Sequence, residues 1–229
     1  MKSFKAVFLA GILAISGGAT NPNWNNTVVE TGTGHRIGNP EAKVKLTEFV
    51  SYTCSHCAHF ADEGDPVLKL AYIHPGAVSV EIRHSLRDPI DLTAALLAQC
   101  GDPSKFALNH SMFMLSQSKW LPVAQTATQA QIQRWTGADR AAARRAIAND
   151  FGFYKMMEAH SYRVTELDKC LSDDARATEL VNASQADSIK YGIKGTPSFA
   201  INGKLLDNVH SWDLLKPQID TELANAAAN

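Results

Sequence analysis

The stretch Glu48-Phe49-Val50-Ser51-Tyr52-Thr53-Cys54-Ser55-His56-Cys57-Ala58-His59-Phe60 decides how the rest of the chain is read. Residues 44–50 alternate and are rich in apolar and β-branched side chains, which predicts a strand. Residues 58–73 are helix-compatible, so Cys54 and Cys57 fall at a strand-to-helix junction. At a helix N-terminus, unpaired amides and the positive end of the macrodipole stabilise an anion on Cys54. Cys57, three positions on, lies on the same side of the first turn and within bonding reach. Such placement lowers the first thiol's pKa to roughly 3.5–7.5, against about 8.5 for free cysteine. The spacing therefore predicts a pair that cycles between dithiol and disulfide.

These residues resemble the active site of a thioredoxin fold, and in particular that of the DsbA-type oxidoreductases of the bacterial periplasm. That family carries Cys-Pro-His-Cys; this chain has Ser55 in place of the proline and keeps His56. The family also has an acid on the preceding strand, six residues before the first cysteine, where Glu48 stands. The lower end of the pKa range above belongs to DsbA itself, so that magnitude is implied by the resemblance.

Composition sets the context. The chain has 229 residues, 45% of them hydrophobic, enough for one ordinary domain or a domain carrying a large insertion. A net charge of −1 gives no electrostatic reason to expect nucleic acid. Residues 1–20 read as a signal peptide: Lys2 and Lys5 give a basic start, residues 6–15 an apolar run, and Gly17-Gly18-Ala19 a small-residue cleavage site. Cleavage after Ala19 removes both lysines and leaves a mature charge of −3, with the periplasm as the expected location. Four cysteines in an exported chain suggest two disulfides. Three pairings exist; proximity favours Cys54 with Cys57, leaving Cys100 with Cys170.

The order of elements predicts an α/β architecture. Residues 27–31 read as a short edge strand, 32–40 as a turn-rich connection, and 77–84 as a second core strand. The helix between two such strands makes a β-α-β unit with parallel pairing and a right-handed crossover. From residue 90 to 189 nothing reads as a strand; helices are predicted over 92–100, 105–116, 124–135, 138–162, 166–171 and 175–191. Residues 198–201 and 204–206 read as a hairpin around Asn202-Gly203, and 211–227 as a terminal helix. The expected layout is a thioredoxin-like domain of residues 21–89 and 190–229 interrupted by an all-helical insertion at 90–189. The DsbA family has the same layout. A Cys100–Cys170 bridge would close a 70-residue loop inside the insertion and stabilise it by about 4 kcal/mol.

The chemistry is assigned residue by residue. Cys54, N-terminal in the motif and the more exposed of the two, is the expected nucleophile, and Cys57 the resolving thiol. His56 tunes the potential by stabilising the Cys54 thiolate, while His59 reads as a helix-surface residue. The family position of Glu48 implies a buried carboxyl with a raised pKa that moves protons to and from Cys57; the other reading is an edge-facing glutamate with no role. Thr196-Pro197 occupies the place where thioredoxin-like folds put a cis-proline facing the cysteines, leaving the Thr196 backbone free to pair with an extended substrate. Zinc wants a second ligand pair at recognisable spacing, which is missing, so no metal and no cofactor is expected. The resemblance implies an oxidase acting on reduced or misoxidised proteins, reoxidised by a DsbB-like membrane protein and working as a monomer. Two alternatives stand beside it. One is an isomerase or reductase, favoured by Thr196 and disfavoured by the lack of an N-terminal dimerisation module. The other is a copper- or zinc-binding chaperone using Cys54, Cys57 and His56.

Overall fold

The computed structural model describes residues 23–228; the signal-peptide expectation lies outside them. Six strands form one sheet: β1 (Val28–Glu30), β2 (His35–Ile37), β3 (Val44–Val50), β4 (Val78–His84), β5 (Ser198–Ile201) and β6 (Lys204–Leu205), in the order β1-β2-β4-β3-β5-β6. β3 pairs in parallel with β4, from Val44 opposite Val78 to Val50 opposite His84. That is the register a β-α-β crossover requires. The antiparallel β5–β6 hairpin turns through Asn202 and Gly203, at φ 50° and 82°. Both central residues of this turn need positive φ, which explains the Asn-Gly pair. β2 is a strand where a turn-rich connection is read from sequence. Its three residues carry little pattern of their own and are held on both sides by β1 and β4.

α1 (Ser55–Glu63) follows β3 and is continued by a short turn, α2 (Asp65–Val67), and a wide π-type turn at Leu68–Ile73. The single regular helix expected over 58–73 is therefore broken. Pro66 lacks the N–H of a regular helix interior. Beyond it the backbone bonds i to i+5, with His74 N–H donating to Lys69 O at 3.0 Å.

Between β4 and β5 the described residues contain only helices. These are α3 (Pro89–Ala98), α4 (Phe106–Leu115), α5 (Gln117–Trp120), α6 (Gln129–Trp135), α7 (Arg140–Asp150), α8 (Phe153–Glu158), α9 (Val164–Leu171) and α10 (Asp174–Tyr191). The run expected as one helix over 138–162 divides at Gly152, whose φ of 72° ends α7 and starts α8. Phe113, Trp120, Phe151 and Phe153 stack edge-on or tilted in the buried centre of this region. Cys100, just after α3, is bonded to Cys170 of α9 with Cα atoms 5.8 Å apart. α11 (Trp212–Ala228) closes the fold against the sheet, with Leu215 and Ile219 fully buried.

Candidate active site

α1 begins where β3 ends, and Cys54 is its N-cap residue in extended conformation (φ −95°, ψ 117°). Its carbonyl accepts from Cys57 N–H at 3.1 Å and Ala58 N–H at 3.3 Å, which fixes the first turn. Both cysteines are in the dithiol form and both are buried, Cys54 at 4% exposure and Cys57 at 1%. Opposite them the chain returns before β5, and the Thr196–Pro197 peptide bond is cis. Cys54 Sγ lies 3.2 Å from the Thr196 carbonyl oxygen, to which the neutral thiol donates.

The two thiols differ electrostatically. A hydrogen bond from the Cys57 side chain is the main reason that the Cys54 pKa falls to about 4; burial opposes it, and the Thr196 side chain and the backbone N–H groups of Cys57 and His56 add to it. Those two amides are the local form of the helix-terminus effect read from sequence. Cys57 moves the other way: burial pushes its thiol far up, and the neighbouring Cys54 pushes it further. One sulfur is a thiolate at neutral pH and its partner 3 residues along keeps its proton.

His56 is exposed and, with Cys54, Arg87, Lys194, Gly195 and Thr196, lines an open cleft of about 350 Å³. His59 is on the helix surface, 3.3 Å from Glu63. Glu48 is deeper, at 3% exposure, on the face of β3 covered by the helical segment after α1. Burial raises its pKa well above the usual carboxylate range, the Asp65 charge raises it further, and Lys69 opposes. The groups that act on Cys57 are Cys54, Ser51 and Thr196. The structure thus brings Cys54, His56 and Thr196 to one cleft with Cys57 beneath and the cis Thr196–Pro197 bond opposite, while Glu48 lines a separate small cavity with Asp65 and Lys69 and Cys100–Cys170 lies apart in the helical region. Among the described residues no cluster of three or more His, Cys, Asp or Glu side chains could hold a metal.

Sequence reasoning missed the scaffold that holds the turn before Cys54. Asp91 is fully buried and accepts from Ser51 Oγ at 2.6 Å, Tyr52 N–H at 2.8 Å and Arg87 N–H at 3.1 Å. Asp88 caps α3 and accepts from Thr53 Oγ1 at 2.7 Å. From α5, the buried Gln117 amide donates to Tyr52 O at 2.6 Å and Cys54 O at 2.9 Å. Asp88-Pro89 is itself a helix-start signature, a capping acid followed by proline at the first helical position. It shows that α3 begins at residue 89 rather than 92. Nothing local marks Gln117.

Comparison with known proteins agrees with this geometry. The thioredoxin family profile matches residues 30–221. A crystal structure of a protein-disulfide isomerase from Novosphingobium aromaticivorans superposes with a TM-score of 0.80 at 45% identity, covering 83% of this chain and 98% of that one. Wolbachia pipientis α-DsbA1 shares the fold, with a TM-score of 0.65 at 21% identity over 84% of this chain and 92% of its own. A Rickettsia prowazekii protein that carries the provisional name of protein-disulfide oxidoreductase is 30% identical over 82% of this chain. The chain spans 60% of that relative's length, and 62% of the length of a similar Rickettsia bellii protein. With the profile spanning most of the chain and the Cys54–Cys57 pair set at a helix start facing Thr196-Pro197, the chain belongs to the thioredoxin family.

Proposed function

We propose that the protein is an exported thiol:disulfide oxidoreductase that introduces disulfides into periplasmic proteins through Cys54 and Cys57. The observation that carries this is the cysteine pair at the start of α1 facing the cis Thr196–Pro197 bond, with Cys54 Sγ 3.2 Å from Thr196 O; hydrogen bonds to Cys54 lower its thiol and burial raises that of Cys57. A stabilised thiolate favours the reduced form, which makes the corresponding disulfide a strong oxidant. In the reaction a substrate thiolate attacks Cys54 Sγ of the disulfide and the Cys57 sulfur leaves and takes up a proton. A second substrate thiolate then attacks the substrate sulfur, and Cys54 leaves as the thiolate. Two electrons pass from the substrate dithiol to the pair. A low-pKa leaving thiol makes that last step fast.

His56, exposed on the cleft, supports the Cys54 thiolate, and Thr196 offers backbone to an extended substrate segment. Glu48, buried on β3 with its pKa raised, holds a proton that it exchanges with Cys57. Reoxidation falls to a DsbB-like membrane partner, and the protein acts as a monomer with no cofactor of its own. The test is equilibration with glutathione together with oxidation of a reduced peptide. An oxidase lies toward the dithiol and oxidises the peptide rapidly, and Cys54→Ala abolishes both; retained exchange in that variant refutes the assignment.

One observation favours a second reading, that of an isomerase: the Novosphingobium protein of similar sequence is described as a protein-disulfide isomerase. Refolding of a scrambled disulfide substrate separates the two, since negligible isomerisation beside rapid oxidation removes it.

A further inference from the structure

Away from the cysteines, an open cavity of about 340 Å³ lies between α3, α6, α7 and α10, a volume typical of small-molecule sites. Its walls are mostly apolar, built from Leu86, Leu92, Trp135, Ile147 and Val181. The indole N–H of Trp135 is spent on Asp150 Oδ2 at 2.8 Å, so the ring meets the cavity with carbon alone. Residues 85–88 divide this space from the redox cleft: Ser85 and Arg87 line the cleft, Leu86 and Asp88 the cavity. Two guanidiniums of the lining, Arg140 and Arg144, stand one turn apart on α7. Arg140 is exposed, whereas Arg144 is buried at 6% exposure. Arg144 Nε donates to Leu171 O at 2.5 Å and Nη2 to Asp174 Oδ1, while Nη1 has no hydrogen-bond partner among the described residues. A buried cationic donor left unpaired is costly, so Nη1 marks a place for an acceptor. The acid on the lining, Asp88, is already committed. Its Oδ1 accepts from the Ile90 and Asp91 N–H groups at 2.9 Å, and its Oδ2 from Thr53 Oγ1 at 2.7 Å. Ser184 Oγ accepts from Leu86 N–H at 2.8 Å, which leaves its own proton to donate.

We propose that this cavity is a binding site for an amphipathic carboxylate, its head group on Arg144 Nη1 and Arg140 and its apolar tail against Leu92, Trp135, Ile147 and Val181. The polarity of the lining selects the class. A neutral apolar molecule would bury the Arg144 donor without an acceptor, and an organic cation would meet two guanidiniums. An anion with an apolar tail satisfies both surfaces. Guanidinium–carboxylate bonds are charge-assisted and directional, which suits a head group held at the buried end of the cavity. The site goes beyond the thiol–disulfide reaction, since none of its lining residues lies on the Cys54 cleft. No bond is made or broken in it.

The experiment is calorimetric titration of the full-length protein at low ionic strength with octanoate, hexanoate and octanol. Octanoate should bind saturably. Hexanoate, two methylenes shorter, should bind about fifteenfold more weakly, the increment expected when both methylenes leave water. Octanol has the same chain without the charge and leaves the Arg144 donor without an anionic acceptor, so it should bind at least about tenfold more weakly. Arg140→Gln should weaken octanoate by about threefold, as expected of a solvent-exposed ion pair. Val181→Trp fills the cavity and should abolish octanoate binding, while Cys54→Ala should keep the wild-type affinity. The site is overturned by the absence of saturable octanoate binding at millimolar concentration, by octanol binding as tightly as octanoate, by wild-type affinity in Val181→Trp, or by loss of binding in Cys54→Ala. Should Val181→Trp fail to fold, the ligand series on the wild-type protein decides alone. Loss of the function assignment reads differently: Cys54→Ala would then keep thiol–disulfide exchange while octanoate still binds.

Discussion

Replacing Cys57 probes the source of the Cys54 thiolate's stability. The largest influence holding Cys54 at about 4 is the hydrogen bond from the Cys57 side chain, ahead of the helix-start amides. A hydrogen bond to a charged group contributes about 1.5–3 kcal/mol, and each 1.36 kcal/mol moves a titration by about one pH unit. Since a thiol is a weak donor, the lower end applies. The hydrogen bond is the largest of four influences that together lower the group from 9.0 to about 4 against burial, so Cys57→Ala should raise the Cys54 titration by more than about one pH unit, while Cys57→Ser, which keeps a donor at that place, should leave it near wild type. The assay is thiolate absorbance near 240 nm, or the rate of alkylation, followed from pH 3 to 9 in each variant. A folded-state pKa lowered from 9.0 to about 4 stabilises the dithiol form fully above pH 9, and that advantage is lost as pH falls through about 4. Cys57→Ala should end the loss more than about one pH unit higher. An unmoved Cys54 titration in Cys57→Ala, or equal shifts in the alanine and serine variants, refutes the account and makes the helix start the source.

Three further outcomes are expected. Cys100→Ala opens a loop of 70 residues. In the chain-entropy model that loop is worth about 4 kcal/mol, so the thermal midpoint drops by about 10 °C in calorimetry while peptide oxidation rates stay near wild type. Asp91→Ala strands three donors around the turn before Cys54 and should cost about 3 kcal/mol or more in denaturant unfolding. Asp91→Asn keeps an acceptor and costs less. His84 is buried with neither ring nitrogen hydrogen-bonded among the described residues, and burial lowers its pKa from 6.5 to about 3, with His35 beside it lowered to about 4. The unfolded chain takes up protons that the fold refuses, so stability from these groups is lost as pH falls from about 6.5 toward 3. Asp91, raised to about 7, acts in the opposite direction. His84→Leu should then lose less stability than wild type between pH 6.5 and 4 in acid titration of the unfolding free energy; equal slopes refute its part.

The features legible in the sequence are those whose physics is local. A β-branched run followed at once by Cys54-Ser55-His56-Cys57 specifies a strand, a cap and a first helical turn within about a dozen residues. Asn202-Gly203 specifies a hairpin because only such a pair tolerates two positive φ values. The strand pattern leaves Glu48 buried or edge-facing, and only the resemblance to the family favours burial. What lay beyond reach depends on chain that returns from far away. β2 has three residues and exists because β1 and β4 flank it. The Gln117 amide finds the carbonyls of Tyr52 and Cys54 only after α5 folds across the active-site turn. The partners of Glu48 follow from a helix made irregular by Pro66, which sets Asp65 and Lys69 over one small cavity. Hydrogen bonds a few residues apart are written in the order of the chain. Burial and charge proximity, which set the state of every proton around Cys54 and Cys57, are decided only when distant segments exclude water together.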